Sequence, residues 1–219
     1  LSTVLRLKTV SLNDYLIFLH KIARRAVKQR TIKRDPFAGY KLESVPVNHR
    51  YLTGEQFAKL TGVELPTYRL CHARDLFVFS TFTGLGRADL ANLTSENIVT
   101  EPDGSRWIHI ERQKTKAECH IKLLDIPSRI IDKYKGEDGK LFFVPATSSL
   151  CRSLKMIEEQ CKLGCHLTFY MARHSFATLI CLGNGVPIET ISRMMGHSSI
   201  RTTQIYAEIT NQKVNRDLL

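Results

Sequence analysis

The sequence predicts a mostly α-helical domain with a small antiparallel β-sheet inserted early, an α+β architecture. Three observations lead there. Apolar residues recur at three- and four-residue steps over much of the 219 residues. Two short alternating stretches, 106–112 and 117–124, interrupt that pattern on either side of a turn. Capping residues and glycines stand where helices need to start and stop.

Leu12, Tyr15, Leu16, Leu19, Ile22, Ala23, Ala26 and Val27 form one apolar stripe, which predicts a helix capped by Ser11 or Asn13. Lys21, Arg24, Arg25 and Lys28 fall mainly on its other face, which by itself reads as a solvated surface. Asp35-Pro36-Phe37-Ala38-Gly39 stops the helix, and residues 35–49 read as a linker. Thr53-Gly54-Glu55-Gln56 is a capping-box pattern opening a helix through about Leu60. A largely apolar helix follows over 68–82, closed by Gly84, and Thr94-Ser95-Glu96 makes a turn. In the second alternating stretch Cys119, Ile121 and Leu123 oppose Glu118, His120 and Lys122, with Gln113–Lys116 as the hairpin turn. Later helices are expected over about 127–135, 148–162, 168–182 and 187–195, then a last helical stretch from Ser199 that carries Tyr206.

Lys and Arg total 32 against 21 Asp and Glu, a net charge of +11 that suits a polyanion partner. The charge is uneven: residues 1–50 hold 11 Lys and Arg against three acids, and the remainder is nearly balanced. With 43% hydrophobic residues the composition excludes general disorder. No apolar run approaches the ~18 residues of a membrane span, and no signal peptide is evident. Six irregularly spaced cysteines read as reduced thiols rather than a disulfide framework, which suits a cytoplasmic protein. The chain begins at Leu1, already inside an amphipathic pattern, so a fragment is expected.

Three clusters carry candidate chemistry. In Tyr170-Met171-Ala172-Arg173-His174-Ser175, Phe169, Ala172, Phe176, Leu179 and Ile180 define a buried face with Arg173 at its edge. A guanidinium there needs an anion: a phosphate suits its fork, and a buried carboxylate serves equally well on this segment alone. In Gly196-His197-Ser198-Ser199, His197 sits just past a helix end. The two helices around Gly196 also fit a helix-turn-helix, with Arg201, Thr202 and Gln204 reading bases and Tyr206 packing. The third is Lys114 at the hairpin tip, which locally is only an exposed lysine.

In this order, Lys114, Arg173-His174-Ser175, Gly196-His197-Ser198-Ser199 and Tyr206 resemble the catalytic domain of the tyrosine recombinases, the phage integrase family. The likeness spans about residues 50–210, and its flavour is that of integrases of conjugative transposons and related mobile elements. It implies three segments: residues 1–40 as the last helices of a core-binding (SAM-like) domain, 41–50 as linker, and 51–219 as catalytic domain with a C-terminal tail. By resemblance Tyr206 is the nucleophile that leaves a 3′-phosphotyrosine and a free 5′-hydroxyl. Lys114 is the general acid for the 5′-oxygen, Arg173 holds the non-bridging oxygens, and His197 donates to the same phosphate. Neither metal, ATP nor any other cofactor is implied. The expected partner is double-stranded DNA, bound by Lys21, Arg24, Arg25, Lys28 and Arg201 among others. A homotetramer is expected on DNA and a monomer when free, with DNA-bending accessory proteins, no membrane, and a site of action at the bacterial nucleoid. Residues 207–219, with Ile209, Val214, Leu218 and Leu219, would pass to a neighbouring subunit.

Two positions depart from the family pattern. The family has Arg directly after Thr-Gly-Leu, where this chain has Gly86, with Asp89 keeping the acidic position three residues on. Arg87 is one step late, about 100° round a helix. Arg87, or a basic group from elsewhere, is expected to stand in. The family also favours His where this chain has Tyr170, which donates a hydrogen bond but does not carry a proton near neutrality. These departures motivate a second reading, a recombinase-fold DNA-binding protein with impaired catalysis; a helix-turn-helix regulator is a third. Cys161, Cys165 and His166, with Cys151 upstream, offer metal-ligand chemistry at a spacing that matches no zinc pattern, so no metal site is assigned. His174, about 100° from Arg173 on the helix, reads as a structural hydrogen-bonding residue.

Overall fold

The computed structural model describes residues 8–42, 51–134 and 139–207. The predicted 41–50 linker lies almost wholly outside them, as does the C-terminal tail beyond residue 207. The chain divides into two compact units, Leu1–Asn48 and His49–Leu219.

In the first unit, helix α1 spans Thr9–Lys28. Its N-cap is Lys8 and no side chain caps it, so neither Ser11 nor Asn13 plays that role. Both lie inside the helix. Leu16 and Ala23 are buried, whereas Tyr15, Leu19 and Ile22 of the same stripe remain exposed. One helix and a short return segment are too small to cover a whole apolar face. The Asp35-Pro36-Phe37 stop folds back on the helix: Asp35 accepts the Phe37 amide at 2.9 Å and lies 3.3 Å from His20 Nδ1.

The second unit opens with α2 (Gly54–Gly62), and the Thr53–Gln56 capping box forms in both directions, at 3.0 and 3.2 Å. Helix α3 (Tyr68–Thr83) is capped by Thr67 and ends at Gly84, whose φ of +66° reverses the chain. A short helix α4 (Arg87–Asn92) and a strand β1 (Ile98–Thr100) follow. Neither is predicted: six and three residues are too few for periodicity to register. Strands β2 (Arg106–Glu111) and β3 (Glu118–Leu123) form the expected hairpin, completing an antiparallel sheet in the order β1-β2-β3. Its register sets Ile108 between Ile98 and Ile121. Cys119, Ile121 and Leu123 face the core and their alternating neighbours face out, as the pattern requires.

Helices α5 (Asp125–Lys133), α6 (Thr147–Cys161) and α8 (Ile188–Met195) agree with the predicted ranges to within a few residues. The helix expected over 168–182 is broken. Regular α7 covers only Phe169–Ser175, then a π-type stretch Phe176–Cys181 and a 3₁₀ turn Leu182–Asn184 follow. Phe176, Ala177 and Cys181 of this stretch are buried. The final helix α9 occupies 201–207 within the described residues.

The core comes in three parts. Helix α3 separates a cluster against the sheet (Phe79, Leu90, Ile108, Ile121, Phe142) from one against α6 and α7 (Leu70, Phe77, Leu154, Met171). A third, formed by Phe176, Ala177, Cys181, Ile191, Met195 and Tyr206, ties α8 and α9 to the π-type stretch. Among the described residues no helix is long and apolar enough to cross a membrane.

Candidate active site

The site forms where the C-terminal ends of α3 and α8 meet. Both helices stop at a glycine in the left-handed region, Gly84 (φ +66°) and Gly196 (φ +63°), and both stops leave backbone carbonyls unused by helix bonding. Arg173, from α7, takes up two of them. Its Nη1 donates to the Gly84 carbonyl, and its Nη2 donates to the Met195 carbonyl at 2.6 Å. The same Nη2 stands 3.0 Å from His197 Nε2. Of the two anions open to Arg173 in sequence, no carboxylate pairs with it among the described residues: carbonyl and imidazole acceptors hold it. Burial, reinforced by the nearby Arg112 charge, pulls the Arg173 pKa down to about 10.

His197 follows Gly196 directly, so the α8 stop fixes where its ring points. The Nδ1 atom lies 2.8 Å from the Thr203 hydroxyl, itself fully buried on α9. Burial, then Arg173 and Arg112, lower the His197 pKa to about 4, so the ring is neutral at pH 7. A neutral ring accepting from Arg173 at Nε2 carries its proton on Nδ1 and donates to Thr203. A hydroxyl can reverse its role, which lets the ring present either nitrogen as donor. Thr203 is not among the residues that the sequence singles out. Its signal is its place three residues before Tyr206, on the same helix face.

Tyr206 is 1% exposed. Its ring stacks parallel to His197 at 6.5 Å between centroids and meets His174 edge-on at 5.1 Å. Burial raises the phenol pKa to about 12, and Arg173 acts in the opposite sense. His174 is buried between two aromatic neighbours, with Tyr170 4.4 Å away on its other side. Tyr170 itself is 62% exposed at the margin of this group.

Lys114 is exposed at the hairpin tip, and the residues on either side of it are anchored to the site. The Gln113 amide donates to Asp89 Oδ1 at 3.0 Å, and the Thr115 hydroxyl donates to the Gly196 carbonyl at 3.0 Å. Asp89 also accepts the Gly86 amide at 3.3 Å and lies 3.3 Å from the Arg112 guanidinium. Arg112 directly follows β2 and is 5% exposed, with Nη2 3.4 Å from the Gly84 carbonyl. A side chain at Gly196 would strike Arg112 Cγ at 2.6 Å, so this glycine makes room for the arginine as well as for the turn. In sequence Arg112 reads only as the end of a strand.

The other candidates lie elsewhere. Arg87 donates to the Pro145 carbonyl at 3.2 Å; no described hydrogen bond ties it to Arg173 or His197. Its described partner is thus the 145 loop rather than the Arg173 group. Arg201 is exposed at the start of α9, and Lys21, Arg24, Arg25 and Lys28 are all exposed on α1. His166 faces Glu158 at 3.2 Å, and among the described residues no three His, Cys, Asp or Glu side chains gather to hold a metal.

Comparison with known proteins bears on the family and the fold. Residues 50–213 match the model of the phage integrase family. The tyrosine recombinase XerA of Thermococcus onnurineus is 28% identical over 182 residues, which cover 75% of this chain and 60% of that protein. The chain thus spans about 60% of the length of such curated relatives. Among solved structures, the XerH site-specific recombinase bound to its difH substrate superposes with a TM-score of 0.71 at 19% identity, over 92% of this chain and 62% of that one. The Tn1549 transposon integrase in complex with a circular intermediate DNA also gives 0.71, at 16% identity over 98% of this chain and 81% of that one. At these identities the likeness is one of fold.

Proposed function

Because the chain belongs to the phage integrase family of tyrosine recombinases, we propose that it cuts and rejoins double-stranded DNA through a 3′-phosphotyrosine link, in the integration or excision of a mobile element. The observation that carries this reading is the packing of Arg173, His197 and Tyr206 into one group, with Arg173 Nη2 3.0 Å from His197 Nε2 and Tyr206 stacked on the same ring.

A phosphodiester entering this group meets Arg173, which exchanges its carbonyl acceptors for the non-bridging oxygens. Charge-assisted bonds of this kind are roughly twice as strong as neutral ones. His197 is neutral, so its contribution is an N–H bond that grows as charge builds on the phosphate. Tyr206 loses its proton to solvent and its oxygen forms the new bond to phosphorus. The bond from phosphorus to the 5′-oxygen breaks, and Lys114 supplies the proton that oxygen needs. The bond energy is kept in the aryl ester, so the reverse attack by a 5′-hydroxyl needs no ATP, and no step calls on a metal. Tyr206 starts almost wholly buried, so DNA binding has to open α9 before attack. By family likeness the active form is a tetramer on DNA, assembled from free monomers and aided by DNA-bending proteins.

Labelled nicked duplexes with a randomised central region test the reading. Incubation with the chain is expected to give an adduct that survives denaturing electrophoresis in the presence of EDTA, and Tyr206→Phe is expected to abolish it. An adduct that persists in the Phe variant, or none with the parent, overturns it.

A further inference from the structure

The family pattern calls for a guanidinium after Thr83-Gly84-Leu85, and this chain has Gly86 there. Nothing in the backbone demands that glycine: its φ is −80°, and an added Cβ would meet only Asp89 Oδ2, at an ordinary 3.5 Å. A long side chain at 86 would thus start beside the Asp89 carboxylate. That carboxylate is already engaged by a guanidinium from another element, because Arg112 Nη2 lies 3.3 Å from Asp89 Oδ2 and 3.4 Å from the Gly84 carbonyl. The Gly84 carbonyl is also the acceptor of Arg173. Two guanidiniums from different elements therefore converge on one carbonyl oxygen.

Their charges do not balance. Asp89 faces Arg112, and among the described residues Arg173 has no carboxylate hydrogen-bond partner. The Arg112 side chain is 7% exposed, and its Nη1 is buried with no hydrogen-bond partner among the described residues. A buried donor on a charged group costs free energy unless something accepts from it. An anion between Arg112 and Arg173 supplies the acceptor and relieves the like-charge repulsion together.

We propose that Arg112 is a catalytic residue that replaces the guanidinium missing at Gly86, its Nη1 holding the scissile phosphate opposite Arg173. This rests on the strand-transfer reading above and extends it to a residue that the family pattern does not supply. Asp89 holds Arg112 in place, and the hairpin that carries Arg112 also carries Lys114, two residues on. A single β-hairpin thus delivers one phosphate ligand and the general acid. The vacated position at 86 is filled by reach from the sheet rather than by the neighbouring Arg87.

Single-turnover cleavage of the nicked duplexes tests this with five chains: the parent, Arg112→Met, Arg112→Lys, and each of those two combined with Gly86→Arg. Arg112→Met keeps the packing beneath Gly196 and is expected to slow adduct formation on the order of 10²–10³-fold. Adding Gly86→Arg, whose guanidinium starts beside the freed Asp89, is expected to restore at least tenfold of that, on the order of the family's own arrangement. A melting curve accompanies each variant. Should Arg112→Met melt below the assay temperature, Arg112→Lys carries the test, since it keeps charge and stem but loses the fork, and a loss of about tenfold or more that Gly86→Arg recovers is expected. Parental rates in either single variant, or a loss that Gly86→Arg leaves unchanged in a folded protein, overturn the proposal. A parent that forms no Tyr206-dependent adduct overturns the strand-transfer reading instead.

Discussion

Among the described residues, the cations named as candidates for the site or for DNA fall into two populations. Arg112 and Arg173 are held by fixed acceptors, namely Asp89 and the carbonyls of Gly84 and Met195. Lys114, Arg201 and most of the basic residues of α1 stand in solvent. Sheltered donors held close to their working positions act on charge as it develops in a transition state. Exposed ones act over distance, are screened by salt, and set how DNA is met rather than how fast a bond breaks. Lys114 straddles the division, since its head is in solvent while the residues flanking it are tied to Asp89 and Gly196. An anchored backbone with a free ammonium suits a group that has to deliver a proton to a strand bound from outside.

That view of Lys114 gives the largest expected effect outside the buried pair. Lys114→Ala should slow adduct formation on the order of 10²–10⁴-fold. A duplex whose bridging 5′-oxygen is replaced by sulfur should recover most of the loss, because a thiolate leaves without a proton. Equal losses with oxygen and sulfur substrates would move Lys114 into the exposed, purely binding group.

A smaller effect concerns His197, whose neutrality depends on burial beside two guanidiniums. Its folded pKa of about 4 lies below the ordinary 6.5, so between those values the unfolded chain takes up a proton that the folded one refuses. Stability should therefore fall as pH drops from 6.5 through 4, and His197→Asn should flatten that part of the curve in melting measurements. An unchanged curve would mean that the ring is not in the sheltered population.

The smallest effect belongs to α1. Changing Lys21, Arg24, Arg25 and Lys28 together to Ala should weaken binding to a mixed-sequence duplex, measured by fluorescence anisotropy. The slope of log affinity against log salt should become shallower by about 0.9 for each phosphate that the protein no longer neutralises. The rate of adduct formation at saturating DNA should stay at the parental value. A slower covalent step with an unchanged salt slope would break the division between the two populations.

What the sequence reveals here follows from range. The capping box at Thr53, the glycine stops at 84 and 196, and the alternation of 118–123 are local patterns, and each appears in the fold where the pattern requires it. Strand β1 and helix α4 are too short to carry a period, and the apolar spacing over 168–182 does not distinguish the π-type stretch at 176–181 from a regular helix. The order of Lys114, Arg173, His197 and Tyr206 is legible because the family fixes both order and spacing. Arg112 is not, because its partners Gly84 and Asp89 lie 28 and 23 residues away and its place shows only once the sheet has paired. The attraction of Arg87 as a substitute is nearness along the chain, whereas its described hydrogen bond runs to the Pro145 carbonyl.

The most direct measurement is peptide mapping of the trapped adduct by mass spectrometry after nuclease and protease digestion. The expected product is a peptide carrying a nucleotide on the Tyr206 oxygen through its 3′-phosphate. A nucleotide attached to any other residue, or attached through a 5′-phosphate, would contradict the central claim.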